Sequence, residues 1–199
     1  MRKVFYCVII FFIASAIELH ADPSSEIPGI YSTGVDDYGN TLAGGETDPH
    51  YMLVSSDDNN FPGPLTKVVI SGTYPMNIWI KNNEVSKWIA PRSDAGEANS
   101  KGIYIYRITF DLSKFKFGSA VITGMWTTDD NGVEILLNGK RTENFTPLAA
   151  FYGMFPFQIN NGFNEGVNTL DFVVNNVISS TGIRVEITGK ADPKDFVVR

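Results

Sequence analysis

The sequence is short of the residues from which many active sites are built. It holds one cysteine, Cys7, and two histidines, His20 and His50. Cys7 and His20 both fall in an N-terminal stretch that reads as a secretory signal. Arg2 and Lys3 precede a nearly unbroken apolar run over residues 4–16. Small-residue cleavage sites follow at Ala14-Ser15-Ala16 and at Leu19-His20-Ala21, ahead of Asp22-Pro23. Cleavage after residue 21 leaves a secreted chain with no thiol and one histidine. A disulfide framework, a cysteine nucleophile and a histidine metal cluster are thereby excluded. The apolar run of about 13 residues is short of the ~20 that a spanning helix needs, and no later run reaches that length. The mature chain is expected to carry no transmembrane segment.

Charge is also sparse, at 19% of residues, and the net charge is −6. Loss of Arg2, Lys3 and Glu18 with the signal takes it to about −7. No Lys/Arg cluster offsets this, and an acidic surface repels phosphate backbones, so nucleic acid is excluded as a partner.

The third absence is a helical repeat. No window shows apolar residues at a 3.6-residue period, although residues 147–153 could hold one turn. Alternation is present instead. Tyr104, Tyr106, Ile108 and Phe110 share one face, with Arg107 and Thr109 on the other. Ile183, Val185 and Ile187 alternate with Arg184, Glu186 and Thr188, and Leu170, Phe172 and Val174 with Thr169, Asp171 and Val173. Val133, Ile135 and Leu137 share a face. Further strands are expected at 51–55, 67–71, 77–81, 85–90, 120–127 and 155–159. Asn82-Asn83, Asn131-Gly132, Asn138-Gly139, Asn161-Gly162 and Thr181-Gly182 punctuate these runs as turns. The pattern predicts an all-β chain: a two-sheet antiparallel sandwich over residues 30–190, with loosely held segments at 22–29 and 191–199.

With the strands placed, longer phrases become readable. They are YIYRITFDL (104–112), ITGMWTTDDNGVEILLNGK (122–140), FPFQINNGFNEGVNTLDFVVNN (155–176) and TGIRVEITG (181–189). Together they resemble the galactose-binding-like jelly-roll domains, modules that accompany glycoside hydrolases or occur alone in secreted and surface proteins. STGVDDYGN (32–40), DPHYMLVSS (48–56) and WIAPR (88–92) are similar to modules of bacterial exosortase-sorted exported proteins. The chain ends at KDFVVR, without the Pro-Glu-Pro, apolar helix and basic tail of that sorting signal, so anchoring by that route is not expected. The resemblance implies a jelly roll, a loop-borne site and, as in many such modules, one structural Ca²⁺.

Asp129, Asp130, Asn131 and Glu134 are hard oxygen donors within six residues, the chemistry calcium favours, though not at EF-hand spacing. The competing reading of 129–132 is a turn whose side chains bond the local backbone. A glycan site needs flat aromatic faces beside planar polar groups. Candidates for ligand contact are Asp36, Asp37, Asp48, His50, Tyr51, Trp88 and Arg92, on the loops 34–51 and 88–94, with a further loop at 129–131. Trp126 is in phase with Ala120 and Ile122 and is read as core. Trp88, after Ser86-Lys87 and before Pro91-Arg92, is the better surface aromatic, and Trp79 is open. Asp48 could orient His50 for base catalysis, but there is no nucleophile elbow, and a structural histidine is the favoured reading. Arg107 and Arg184 are mid-strand; each could hold a ligand hydroxyl or carboxylate, and pairing with a nearby acid across the sheet is the favoured reading. Asn144-Phe145-Thr146 matches a glycosylation acceptor, which counts only in a eukaryotic host. The expected function is a secreted, non-catalytic module for carbohydrate or another extracellular polymer. The alternative is a structural or adhesive surface protein working through protein contacts; oligomeric state is left open.

Overall fold

A computed structural model describes residues 24–194. The signal sequence, with Cys7 and His20, lies outside the described residues, as do the last five positions. Among the described residues the strands are β1 (Ser25–Glu26), β2 (Met52–Ser56), β3 (Lys67–Val68), β4 (Ile89–Ala90), β5 (Gly102–Asp111), β6 (Val121–Asp129), β7 (Asn131–Leu137), β8 (Lys140–Arg141), β9 (Phe155–Ile159), β10 (Val167–Asn176) and β11 (Gly182–Ala191). One antiparallel sheet has the order β3-β4-β11-β6-β9, with β1 also paired to β11; the second runs β2-β5-β10-β7-β8. The two sheets form a β-sandwich.

The alternation read from the sequence explains the core. Tyr104, Tyr106, Ile108, Phe110, Leu170, Phe172 and Val174 project from one sheet, and Ile122, Trp126, Ile183, Val185 and Ile187 from the other, into one buried cluster. Trp126 packs against Phe172 at 5.6 Å between ring centroids, so the core reading of Trp126 holds. Polar partners on the outer faces follow register. Asp171 lies opposite Arg107 and takes its guanidinium through two hydrogen bonds of 2.6 and 2.7 Å.

Three expectations are corrected. Residues 77–81 form no strand, because Ile78 N–H and Trp79 N–H both turn back onto Pro75 O at 2.9 Å. Residues 22–29 are not loose from Ser25 onward. Ser25 and Glu26 pair with Ala191 and Lys190, and Ile27 is buried with its N–H on Gly189 O. Asn131-Gly132 is not a hairpin turn. It opens β7 directly after β6, where the chain crosses from one sheet to the other at Asp130. The hairpin is at Asn138-Gly139, where both residues have positive φ, 52° and 75°, as a tight β7–β8 connection requires.

Gly132 is required for a different reason: a Cβ there would run into the Trp126 indole. Gly132→Ala overpacks the core and is expected to cost about 1–3 kcal/mol. The measurement is the urea midpoint at unchanged slope; an unaltered midpoint would show that the indole yields freely.

A second, smaller cluster lies outside the sandwich. Val69, Trp79, Trp88, Ala90 and Ala95 pack together. The segment that carries them covers the outer face of β11. There Arg184, almost fully buried, donates to Ser86 Oγ (2.7 Å), Lys81 O (2.5 Å) and Glu186 Oε1 (2.7 Å).

Candidate functional site

The chain order places the ends of β2, β4, β6 and β10 and the starts of β5, β7 and β11 at one end of the sandwich. Most of the candidate residues belong to loops there or to the long 27–51 segment, and the structure separates them into three groups.

The first group is scaffolding for residues 31–51. Asp48 is buried, and its carboxylate accepts from Gly34 N (2.6 Å), His50 N (2.8 Å) and Tyr51 N (2.9 Å). Burial raises its pKa, and the three N–H donors oppose the shift. Its oxygens are thus taken by backbone and do not orient the His50 imidazole. Tyr51 is buried, with its hydroxyl on Tyr31 O at 3.0 Å. His50 stacks face to face on Tyr31, centroids 3.7 Å apart, and its Nε2 lies 3.7 Å from the exposed Asp37 carboxylate. Asp36 accepts from Tyr38 N, Asn40 N and Asn40 Nδ2, which closes a local turn. The Asn40 amide leads the causes that lower the Asp36 pKa. Of the three candidate acids in this group, Asp37 is the one whose exposed carboxylate accepts no hydrogen bond among the described residues.

The second group is buried in the outer cluster. Trp88 has no exposed surface, its indole N–H donates to Ile80 O at 2.9 Å, and its ring lies 4.1 Å from that of Trp79. The surface reading of Trp88 is therefore corrected: its faces are covered by protein and cannot stack on a ligand. The polar Ser86 and Lys87 before it do not signal exposure, because Ser86 serves Arg184.

Arg92 stands in the third group and lines a groove. Its Nε and Nη2 grip Asp94 at 2.6 and 2.7 Å, and its guanidinium lies 4.9 Å from the centroid of the Phe61 ring. The groove has a volume of about 560 Å³ between residues 60–67 and 91–94, with Phe61, Pro62, Leu65, Arg92 and Asp94 on its walls. Leu65 is exposed, so the groove presents an apolar wall beside a planar donor–acceptor pair. Phe61, Leu65 and Asp94 were not singled out from the sequence. The signals available were an aromatic and a leucine in a proline-rich loop, Phe61-Pro62-Gly63-Pro64-Leu65, and an acid two residues after Arg92.

The oxygen donors proposed for calcium do not converge. Glu134 accepts from Arg141 Nε (2.8 Å) through one oxygen and from Ile135 N and Asn144 N through the other. Asp130 Oδ2 holds Val177 N (2.6 Å) and Ile178 N (3.1 Å), Asp129 Oδ2 holds the Trp79 indole N–H (2.9 Å), and Asn131 Oδ1 accepts from Asn175. Burial and the adjacent Asp130 push Asp129 up to about 8. These residues do not fit a calcium shell. Their side chains tie separate segments to each other through distant side chains as well as backbone N–H groups, so the reading of 129–132 as a turn bonded to its own local backbone does not describe them either. Among the described residues no group of three or more His, Cys, Asp or Glu could hold a metal ion. Asn144 Nδ2 is occupied by Thr142 O, Thr142 Oγ1 and Gln158 O, so the acceptor motif is folded into the structure.

Two antiparallel sheets in this order define a β-sandwich consistent with a jelly-roll, galactose-binding-like fold. Comparison of the chain with protein-family models, with curated proteins and with solved structures gave no match. The narrower likeness to exosortase-sorted modules thus gains no support, and function has to be argued from the groove.

Proposed function

We propose that the exported chain is a non-catalytic binding module for carbohydrate or another extracellular polymer, and that it binds in the Arg92 groove. The observation that supports this reading is the Arg92–Asp94 pair, with the guanidinium over the Phe61 ring, in an open, mostly apolar groove. A hydroxyl both donates and accepts. It meets the free Nη1 hydrogens of Arg92 and the outward lone pairs of Asp94 together. Leu65 and Pro62 offer the apolar wall that C–H faces require. The fold is compatible with such a role: the sheets are the rigid support, and the groove is made by loops at their end. Among the described residues no helix is long and apolar enough to cross a membrane.

Arg92→Ala is expected to weaken binding at least tenfold while the melting temperature stays within about 2 °C, because a largely surface ion pair contributes only ~0–1 kcal/mol to stability. A glycan and polymer array identifies the ligand, and calorimetry on the variant measures the loss. An array ligand whose affinity ignores the substitution would move the site elsewhere.

A second reading has its own observation. Phe145, Leu148, Tyr152 and Ile178 are each more than 60% exposed, on loops near the same end. Such side chains suit an adhesive or self-associating surface protein. Sedimentation that shows concentration-dependent association, lost in Leu148→Ser, with a blank array, would favour it.

A further inference from the structure

Three buried side-chain oxygens that receive no hydrogen bond belong to one knot of chain. They are Asn99 Oδ1, Asn176 Oδ1 and Ser180 Oγ, on residues no more than 6% exposed. The knot forms where the segment before β5, the end of β10 and the loop before β11 meet. Asn176 Nδ2 donates to Asn99 O (3.4 Å), Ser100 O (2.9 Å) and Ser179 O (3.3 Å). Asn99 N donates to Ser179 O (2.9 Å), and Asn99 Nδ2 to Asp58 Oδ2 (3.1 Å). These bonds fix the orientation of both amides. Turning either one would set its oxygen against carbonyls or a carboxylate. Two acceptor oxygens are therefore held in the interior with no donor from the protein, where nearly all buried polar atoms are satisfied.

The chemistry around them selects what they can bind. The donors are all oxygen, which disfavours soft metals. The three are neutral. The carboxylate bonded to Asn99, that of Asp58, is itself buried and already accepts from Asn60 N, Asn99 Nδ2 and Ser100 N. Among the described residues it forms no salt bridge, and the Arg92 guanidinium acts on it only at longer range. Calcium affinity rises with the number of ligand charges, and magnesium demands a near-ideal octahedron with its own waters. Neutral oxygens beside one shared carboxylate suit a single positive charge. We propose that Asn99, Asn176 and Ser180 bind a hard monovalent cation of sodium's class, with Asp58 supplying the neighbouring negative charge. Phe61 N donates to Asp58 O at 2.9 Å, so the ion braces the loop that forms one wall of the groove. The proposal does not depend on what the groove binds.

The test is thermal melting of the purified full chain at one ionic strength, in tetramethylammonium chloride, NaCl or CaCl₂, with ²³Na line broadening as a direct readout. The melting temperature is expected to rise by several degrees in NaCl over tetramethylammonium and to saturate, as mass action requires. Ser180→Ala should move the sodium midpoint at least tenfold higher while melting like the parent in tetramethylammonium. Asp130→Asn, near the knot but with its carboxylate turned to Val177 and Ile178, should keep the sodium response. If Ser180→Ala folds poorly, Asn99→Asp provides a second readout: its added ligand charge should shift the preference from sodium to calcium. Equal melting temperatures in all three salts would overturn the proposal and leave an ordered water as the partner of the amides. A response of the parent protein to calcium alone would also overturn it.

Discussion

Trp88→Ala is expected to lower stability by about 3–5 kcal/mol, the usual cost of emptying a buried tryptophan site. Trp88 has no exposed surface, and it supports Trp79 at 4.1 Å between ring centroids. Its loss also leaves Ile80 O without the indole donor. For a chain of this size about 1 kcal/mol corresponds to ~2–4 °C, so the melting temperature should fall by roughly 6–20 °C. Binding in the Arg92 groove should survive in the fraction that remains folded at low temperature. Trp88→Phe, which keeps most of the volume but not the N–H, should recover more than half of the loss. Differential scanning calorimetry checks both variants. A Trp88→Ala protein that melts normally but no longer binds would return Trp88 to the surface and break the account of the outer cluster.

Asp129→Asn is expected to stabilise the protein at alkaline pH. Asp129 is buried beside Asp130, and its pKa is raised from 3.8 to about 8, chiefly by desolvation and then by the neighbouring charge. The folded state therefore holds a proton that the unfolded chain releases near pH 4. That contribution is fully present below the unfolded pKa. It declines by about 1.4 kcal/mol per unit as pH rises through the window from 4 to 8, and is gone above the folded value. From pH 5 to pH 8 the loss is on the order of 4 kcal/mol. Asparagine keeps an oxygen for the Trp79 indole and an N–H₂ for Asp130, and it carries no charge to desolvate. The variant should match the parent near pH 5 and exceed it at pH 8.5. Urea midpoints across that range decide the matter. Parallel curves for the two proteins would mean that Asp129 ionises in the folded state as freely as in water.

Strands that bury one face were legible without coordinates. In β5, β10 and β11 the apolar residues recur at every second position, and a one-residue slip would turn them all to solvent, so pattern and register coincide. Residues 155–159 were bounded as β9 for the same reason. Residues 77–81 failed because Ile78, Trp79 and Ile80 make an apolar run with no period to read. That run serves a cluster outside the sandwich, where a turn suffices. Asn131-Gly132 failed because the glycine there answers to Trp126, across the core, and not to its own backbone.

The candidate site shows the same division. Arg92 was legible as a planar cation in a loop, and it does line the groove. Asp48, Tyr51 and Trp88 were read as ligand contacts from residue type, yet each is consumed by bonds to chain distant from the local motif: Gly34, Tyr31 and Ile80. Phe61 and Asp94 were invisible as a pair because 33 positions of sequence separate them.

From the order of residues alone came the all-β class, the sheet-facing alternation, the core position of Trp126 and the scarcity of thiol and imidazole chemistry. These depend on near neighbours, since hydrophobic period and residue type are local properties. Only the tertiary structure decided which polar loops are scaffold and which are open. A carboxylate or an indole is free or occupied according to groups that arrive from tens of residues away, and long-range packing alone determines where those groups come to rest.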